Sequence, residues 1–315
     1  MSKKFAVLFP GQGSQCEKMS EDLLQSDLES REYFKKLFDL VGEEKAQKIV
    51  DAKMEDLSKT KYAQLAIFMN SVALYDAFMA RYGDRISVQA SAGLSLGEYS
   101  ALYAAGVLDI ENGIKLISKR GEIMEAAASG KGSMVAVMKS NVEEISAILE
   151  EVRGQTEALI AICNLNSPAQ IVVGGEFEAL DKFMELCAEK GLKKLVKLDV
   201  EGPFHTEVLK EASEEFRQVL EQTPFKTMQI DVYTNYTGET YASKEDLADT
   251  LAKQMYSPVY FEKIVRNMIA DGIDHFVEIG PGTSLKGFIK KIDKEVTVYN
   301  IEKVSDLEAF ETHLA

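Results

Sequence analysis

Residues 88–98 have the sequence VQASAGLSLGE, and the predicted fold class follows from these residues. The apolar run Val88–Ala92 predicts a buried strand, and the residues from Glu98 to Ala105 have the apolar spacing of a helix. A strand, a tight turn and a helix in this order are typical of α/β proteins. The turn between them fits the pattern G-x-S-x-G with Ser95 at its centre, although the same pattern also occurs in turns with a purely structural role.

The two glycines of this turn indicate a chemical role for its serine. A residue at a sharp strand-to-helix turn needs neighbours without bulky side chains, and Gly93 and Gly97 meet that need. The turn raises the Ser95 hydroxyl above the sheet, and the N–H groups at the start of the helix point toward an oxyanion formed there. We therefore predict that Ser95 is a nucleophile.

The elements around this turn divide the chain into a large and a small unit. The apolar run Phe5–Phe9, ended by a turn rich in glycine and proline, predicts another buried strand of the large unit. Residues 132–200 follow the order βαββαβ, which is typical of a ferredoxin-like unit. The predicted fold is α/β: a hydrolase-like core with a parallel sheet, formed by residues 1–130 and 200–315, and an inserted ferredoxin-like subdomain at 131–199.

Four further predictions concern individual elements. Tyr62–Tyr82 is apolar on most faces, which predicts a central helix that ends near Gly83. Lys193–Val200 is predicted to be the last strand of the small unit, and Gln229–Thr234 a strand of the large unit. Asn141 is predicted to cap the first helix of the small unit.

Composition and charge exclude several classes of function. The 315 residues include 36 basic and 51 acidic side chains, and the net charge of −15 argues against a nucleic-acid-binding face or attraction to an anionic membrane. No stretch approaches the ~18 continuous apolar residues of a membrane span. Three cysteines, Cys16, Cys163 and Cys187, lie far apart without a CxxC pair, as in reduced cytosolic proteins. We expect a cytoplasmic protein that binds neither nucleic acid nor membrane.

A serine nucleophile needs a base, and the chain has only three histidines. His313 lies among the last residues, and His275 begins an apolar strand, which favours a structural role. His205 lies in a short loop between a strand and a helix, where catalytic groups are common. We predict that His205 is the general base. No Asp or Glu is identifiable by spacing as its partner, so a Ser–His pair is favoured over a triad.

Six short motifs make the sequence resemble the malonyl-CoA:acyl carrier protein transacylases of fatty-acid synthesis. The similarity covers nearly the whole chain, and six matches in the right order argue against coincidence. The motifs are Phe9–Gln15, Ser95–Ala101, Lys119–Gly121, Asn166–Pro168, Gly202–His205 and Val277–Gly282.

The resemblance implies a role for each of five residues. Ser95 would be the acylated nucleophile and His205 the base. The backbone N–H groups of Gln12 and Leu96 would form the oxyanion hole, and such donors are typically worth ~3 kcal/mol each in the transition state. Arg120 would bind the carboxylate of the substrate.

Three other positions complete the resemblance. Gln254 matches the residue whose carbonyl orients the histidine, and Asn166 matches a position that lines the same cleft. Leu94 is a departure, because many members of the family have histidine immediately before the nucleophile. The base maps to His205, so the departure leaves the core mechanism intact. It affects only the adjustment of the site that a histidine at this position would provide.

The arginine is the residue that selects the substrate. Arg120 lies in the predicted helix Ile110–Ala128, where Ile117, Ile123 and Met124 suggest burial, whereas an arbitrary arginine is usually a solvated surface charge. A guanidinium binds a carboxylate through two parallel charge-assisted hydrogen bonds. A malonyl group ends in a carboxylate and an acetyl group does not. Phe204, next to the base, narrows the room for an α-methyl branch and mildly favours malonyl over methylmalonyl.

The expected reaction is therefore transfer of a malonyl group from malonyl-CoA to the phosphopantetheine thiol of acyl carrier protein, through a malonyl-serine intermediate. The protein itself needs no cofactor or metal, and we expect a monomer. Because the carrier protein in this pathway is acidic, a local basic patch is predicted. The candidates are Lys286, Lys290 and Lys291, with Lys193, Lys194 and Lys197 second, and the alternative for all six is an ordinary solvated lysine.

Three other functions share parts of this pattern. A serine hydrolase such as a thioesterase has the same turn and histidine, but it admits water to the acyl-serine. A non-enzymatic acyl-CoA-binding module would form no covalent adduct at Ser95. A stand-alone acyltransferase of a polyketide assembly line differs only in its carrier protein.

Overall fold

The computed structural model describes residues 3–26 and 30–314. Within these residues nine strands form two separate sheets. The strands are β1 (Lys4–Phe9), β2 (Ser87–Gly93), β3 (Ser133–Met138), β4 (Ile160–Ser167), β5 (Gln170–Gly175), β6 (Leu195–Lys197), β7 (Asp231–Val232), β8 (His275–Ile279) and β9 (Thr297–Ile301).

Helices pack against both sheets. Short 3₁₀ turns at Glu207–Leu209, Lys244–Asp246 and Glu311–His313 adjoin three of them. The α-helices are α1 (Glu21–Gln25), α2 (Ser30–Val41), α3 (Glu43–Asp51), α4 (Met54–Leu57), α5 (Thr60–Tyr82), α6 (Gly97–Ala104), α7 (Ile110–Ala128), α8 (Val142–Arg153), α9 (Phe177–Glu189), α10 (Lys210–Glu221), α11 (Leu247–Gln254), α12 (Phe261–Ala270), α13 (Ser284–Ile292) and α14 (Val304–Phe310).

The larger sheet is parallel throughout, with the strand order β7-β2-β1-β8-β9. Its central strand β1 is buried from Phe5 to Phe9, as expected for a parallel strand covered by helices on both faces. Because parallel strands end at the same edge, the turns after β1 and β2 lie side by side, and Leu94 N donates to Phe9 O at 3.0 Å. That edge carries the functional site.

Helix α5 is the central helix that the sequence predicts. Sixteen of its residues are buried, and it packs against α7. Among the described residues α5 is the one helix with the length and hydropathy of a membrane span, and 78% of its most apolar window is buried inside the protein. Its apolar character on all faces therefore serves the core.

The smaller sheet is antiparallel, with the order β4-β5-β3-β6. Helices α8 and α9 cover one of its faces, and Asn141 caps α8 by accepting a hydrogen bond from Glu144 N. The prediction of an α/β core with a ferredoxin-like second unit is thus confirmed. The exact boundaries at 131 and 199 stay a prediction, lying just outside the first and last strands of this sheet.

Two edge strands are shorter than predicted. The strand predicted at Lys193–Val200 is limited to Leu195–Lys197, because β6 pairs only with β3 and the chain then turns toward the cleft between the sheets. The strand predicted at Gln229–Thr234 is limited to Asp231–Val232, and Asn235, three residues beyond the strand, bonds to the turn after β2. In both places the residues after the strand lie at the site and do not lengthen the ladder.

Candidate active site

Ser95 occupies the sharp turn between β2 and α6. Its φ angle is +53°, a left-handed conformation that is rare for a residue with a side chain. A Cβ atom on Gly93 would lie 2.0 Å from the Gly97 carbonyl carbon, and one on Gly97 would lie 2.2 Å from Phe9 O. Both contacts are with backbone, so only glycine fits on either side of the serine.

Side-chain amides from distant segments hold this strained turn. Ser95 N donates to Asn235 Oδ1 at 2.6 Å, and Asn235 Nδ2 donates to Gly93 O at 2.7 Å. Gln254 Nε2 donates to Ser95 O at 2.9 Å. Strain of this kind persists only where surrounding contacts fix it. Sequence reasoning missed Asn235, which lies 140 residues from Ser95 in a segment without a recognised motif.

His205 lies beside the serine, as the resemblance implies. Its Nε2 atom is 2.8 Å from Ser95 Oγ, and its Nδ1 atom is 2.8 Å from the backbone oxygen of Gln254. Because a carbonyl oxygen can only accept, Nδ1 carries the proton and Nε2 is free to accept the serine proton. His205 makes no hydrogen bond to a carboxylate of the described chain, which agrees with a Ser–His pair.

Burial sets the protonation state of this imidazole. His205 is 4% exposed, and desolvation, followed by the positive charge of Arg120, lowers its pKa to about 4. The imidazole is therefore neutral at pH 7 and competent as a base. Its own backbone is also strained, with a φ angle of +60°.

Arg120 projects from α7 to the same hydroxyl and is fully buried. Its Nη2 atom donates to Ser95 Oγ at 3.1 Å and to Gln254 Oε1 at 3.0 Å, and its Nη1 atom donates to Gln64 Oε1 at 2.7 Å. The guanidinium lies over the ring of Tyr99, 5.3 Å from its centroid. Burial lowers the pKa of Arg120, but a guanidinium keeps its charge in proteins.

The nucleophile opens into a cleft between the two sheets. Gln12, Ser95 and His205 line the cleft from the parallel-sheet side, while Asn166 lines it from β4. Asn166 is 4% exposed, and its Oδ1 atom has no hydrogen-bond partner within the described chain. The Arg120 guanidinium lies behind the cleft wall. Gln64, which lines the cleft and bonds to the guanidinium, connects the two and was not identified from the sequence.

Two backbone donors are available near the hydroxyl. Leu96 is the N-cap residue of α6, and Gln12 lies in the turn after β1. Neither backbone N–H donates a hydrogen bond in the parts of the chain that the structure describes. A Cβ atom on Gly11 would lie 2.4 Å from Leu94 O, so the absence of a side chain there lets the two loops approach each other. This arrangement suits an oxyanion hole.

Leu94 lines the rim of the cleft, immediately before the nucleophile. It packs against the apolar cluster between one face of the parallel sheet and the helices α12 and α13. An apolar side chain therefore lies at the position where many members of the family that the sequence resembles have an imidazole.

The predicted docking lysines differ in their surroundings. Lys286 and Lys291 are exposed on α13, whereas Lys290 Nζ donates to the backbone oxygens of Lys294 and Val296, at 3.2 and 2.5 Å. These two hydrogen bonds from its ammonium group stabilise the loop after α13. The second group, Lys193, Lys194 and Lys197, is exposed at and near the edge strand β6.

An α/β fold that holds a strained serine against a neutral imidazole defines a class of enzymes that pass acyl groups through a serine hydroxyl. The family model described as "Acyl transferase domain" matches residues 7–306. The chain therefore belongs to the acyl transferase domain family.

Similar proteins have closely related names and folds. The malonyl CoA-acyl carrier protein transacylase of Bacillus subtilis (strain 168) is 35% identical over 98% of this chain and 95% of its own length. A crystal structure from Streptococcus pneumoniae, titled MCAT, has 37% identity and a TM-score of 0.90 over 98% of this chain and 99% of that one. A malonyl-transacylase solved with a type II polyketide acyl carrier protein has 31% identity and a TM-score of 0.92, and 98% of each chain is covered.

Proposed function

We propose that this protein is an acyl carrier protein S-malonyltransferase of fatty-acid biosynthesis. It would transfer the malonyl group of malonyl-CoA to the phosphopantetheine thiol of acyl carrier protein through a malonyl-serine intermediate. One observation carries the proposal: the Ser95 hydroxyl lies 2.8 Å from a neutral imidazole and 3.1 Å from a buried guanidinium. The first group activates the hydroxyl, and the second recognises a carboxylate on the donor. The names of the similar proteins support the same reaction.

In the first half-reaction, Ser95 attacks the thioester carbonyl while His205 Nε2 takes the hydroxyl proton. The new C–O bond leaves negative charge on the former carbonyl oxygen, which the free N–H groups of Gln12 and Leu96 would stabilise. The C–S bond then breaks, and the imidazolium returns its proton to the departing thiolate of coenzyme A. The backbone oxygen of Gln254 holds the Nδ1–H tautomer throughout.

In the second half-reaction, the phosphopantetheine thiol gives its proton to His205 and attacks the acyl-serine. Collapse of the tetrahedral intermediate breaks the C–O bond, and the proton returns to Ser95 Oγ. The two halves use one site in turn, which is ping-pong covalent catalysis. The phosphopantetheine belongs to the partner, so the proposed mechanism requires no cofactor of its own.

The donor's carboxylate is proposed to bind Arg120. A bidentate guanidinium–carboxylate pair in a dry pocket requires the carboxylate to approach Nη1 and Nη2, whose present partners are Gln64, Gln254 and the nucleophile itself. Gln64 lines the cleft, so displacement of its side chain would admit the donor. The Asn166 oxygen without a partner could accept a hydrogen bond from the pantetheine amides.

All groups in this mechanism come from one chain, which supports a monomeric enzyme. The proposed donor, malonyl-CoA, and the proposed acceptor, the thiol of acyl carrier protein, are both available in the cytoplasm, so the proposed location is cytoplasmic. The carrier protein is proposed to dock through a basic patch in which Lys286 and Lys291 present free ammonium groups, and Lys193, Lys194 and Lys197 form the second candidate patch.

A second acceptor is proposed on one specific observation. A structural neighbour with a TM-score of 0.92 is a malonyl-transacylase in complex with a polyketide acyl carrier protein. The chemistry at Ser95 is the same for either carrier, because each presents a phosphopantetheine thiol. The carrier protein encoded with this enzyme decides between them.

Intact-protein mass spectrometry tests the proposal. Incubation with malonyl-CoA should add the mass of one malonyl group, and addition of holo carrier protein should remove it and transfer that mass to the carrier. Ser95→Ala should show no gain. Rapid release of free malonate without a carrier would instead favour a hydrolase, and the absence of any adduct would favour a non-enzymatic acyl-CoA-binding module.

A further inference from the structure

Glu98 is a buried carboxylate beside the active site that the proposed mechanism does not use. It follows Ser95 by one helical turn, in the first turn of α6, and it is fully buried. One carboxylate oxygen accepts a hydrogen bond from Gln254 Nε2 at 2.8 Å and another from the Asn235 backbone N–H at 3.1 Å. The other oxygen accepts a hydrogen bond from the Tyr241 hydroxyl.

Its hydrogen-bond partners favour the ionised form of Glu98, while burial raises the pKa of its carboxyl group. A side-chain amide nitrogen and a backbone N–H can only donate, so one oxygen of Glu98 must accept from both. Such hydrogen bonds stabilise the charged form and oppose the effect of burial, and a position at the start of a helix also favours negative charge. The Glu98 side chain thus lies in the core close to the catalytic turn. The Gln254 Nε2 atom that donates to Glu98 also donates to Ser95 O.

Arg120 presents the complementary problem. It is fully buried, and it forms no ion pair with any Asp or Glu in residues 3–26 and 30–314. Its hydrogen-bond partners Gln64, Gln254 and Ser95 are all uncharged. A buried cation without a compensating charge is strongly destabilising.

The carboxamide of Gln254 connects the two charges. Its oxygen accepts from Arg120 Nη2 at 3.0 Å, and its nitrogen donates to Glu98 at 2.8 Å. We infer that Glu98 is the counter-charge of Arg120, acting across the Gln254 carboxamide as a positioning residue of the donor site. A direct contact would occupy the guanidinium. With one amide between them, Glu98 compensates the charge and leaves the guanidinium able to receive the donor's carboxylate, a role that rests on the proposed function.

A double-mutant cycle with no substrate present tests the charge coupling. Glu98→Gln keeps the size and the acceptor oxygen of the side chain but removes its charge, and Arg120→Met removes the cation. Glu98→Gln should lower the unfolding midpoint by at least about 2–4 °C when Arg120 is present. In the Arg120→Met background the same change should be neutral or raise the midpoint, because Glu98 is then itself a buried charge without a partner.

A matched control uses another buried carboxylate. Glu278 is fully buried and accepts hydrogen bonds from Leu285 N and Lys286 N, with no bond to the guanidinium. Glu278→Gln should shift the midpoint equally with and without Arg120→Met. If Glu98→Gln behaves in this additive way, Glu98 is only a hydrogen-bond acceptor and the inference is wrong. If Glu98→Gln alone fails to fold, recovery of folding in the double variant is expected, and its failure would overturn the inference.

A second measurement links the coupling to function. A malonyl group on Ser95 brings its own carboxylate to the guanidinium, so malonylation should raise the Tm of Glu98→Gln more than that of the natural protein. Acetylation should raise both equally. An equal gain from malonylation in both proteins would contradict the role at the donor site. Failure to form any adduct would refute the proposed function, while the unfolding cycle would still decide the charge coupling.

Discussion

Replacement of Arg120 by methionine should convert a malonyl-selective enzyme into one with little preference between malonyl and acetyl donors. Arg120 is fully buried, and both of its Nη atoms lie among hydrogen-bond partners close to Ser95 Oγ. Methionine keeps a long unbranched side chain in this space but offers no donor and no charge. The acetyl donor has no carboxylate, so the substitution removes no specific interaction with its acyl group.

The structure sets the size of the effect. Two charge-assisted hydrogen bonds from a guanidinium to a carboxylate contribute about 1.5–3 kcal/mol each, or about 3–6 kcal/mol together. Each ~1.4 kcal/mol is a factor of ten in rate, so kcat/KM for malonyl-CoA should fall by roughly 10²–10⁴. Arg120 Nη2 also contacts the nucleophile, so the acetyl rate will change as well, and the ratio of the two rates is the informative quantity.

The assay is a competition between malonyl-CoA and acetyl-CoA for transfer to one carrier protein, with both products resolved by mass. Lys119→Met is the matched control, because it removes a cation from the same helix at an exposed position next to Arg120. That variant should keep the natural selectivity. An unchanged malonyl-to-acetyl ratio in Arg120→Met would refute the assignment of the donor site, however much the absolute rate falls.

Three other outcomes follow from the geometry. Since burial and the nearby guanidinium lower the pKa of His205 to about 4, the imidazole is unprotonated above that pH, and acylation should fall only as the pH drops through about 4. A kinetic limb near pH 6.5 would contradict this environment. Gly97→Ala should abolish soluble, folded protein, since its Cβ would lie 2.2 Å from the last carbonyl oxygen of β1, whereas Gly287→Ala, with no atom within 4 Å, should not lower the Tm. Lys286→Glu should raise the KM for carrier protein and alter its salt dependence, while Lys290→Met, which breaks two bonds to loop carbonyls, should lower the Tm without changing that KM.

The strand-turn-helix at the nucleophile was predictable because local features encode it. An apolar run, two glycines and a helical pattern lie within 18 residues, Val88–Ala105, and need no information from elsewhere in the chain. Helix α7 likewise has the predicted bounds, Ile110–Ala128. The lengths of the edge strands β6 and β7 were overestimated. An edge strand is paired on one side only, and the residues that flank it contact other parts of the protein instead of extending the strand.

The residues of the candidate site were found by motif, but their convergence was not. The turn motif and the loop position pointed to Ser95 and His205, and the family resemblance added Arg120 and Gln254. These four residues are separated by up to 159 positions. The double use of Gln254 has no sequence signal: its backbone oxygen holds the imidazole, and its side chain bonds the guanidinium. Such contacts depend on how α7 and α11 pack against the turn after β2.

The elements, the two-unit α/β organisation and the chemical groups available for acyl transfer could be predicted from the sequence, since they follow from periodicity, turn residues and side-chain type. Which polar groups meet depends on the folded chain. It places Asn235 and Glu98 behind the nucleophile and commits Lys290 to a loop carbonyl. The physical reason is that a buried polar group must find a partner wherever the folded chain provides one, and that choice is made by packing across long separations in sequence.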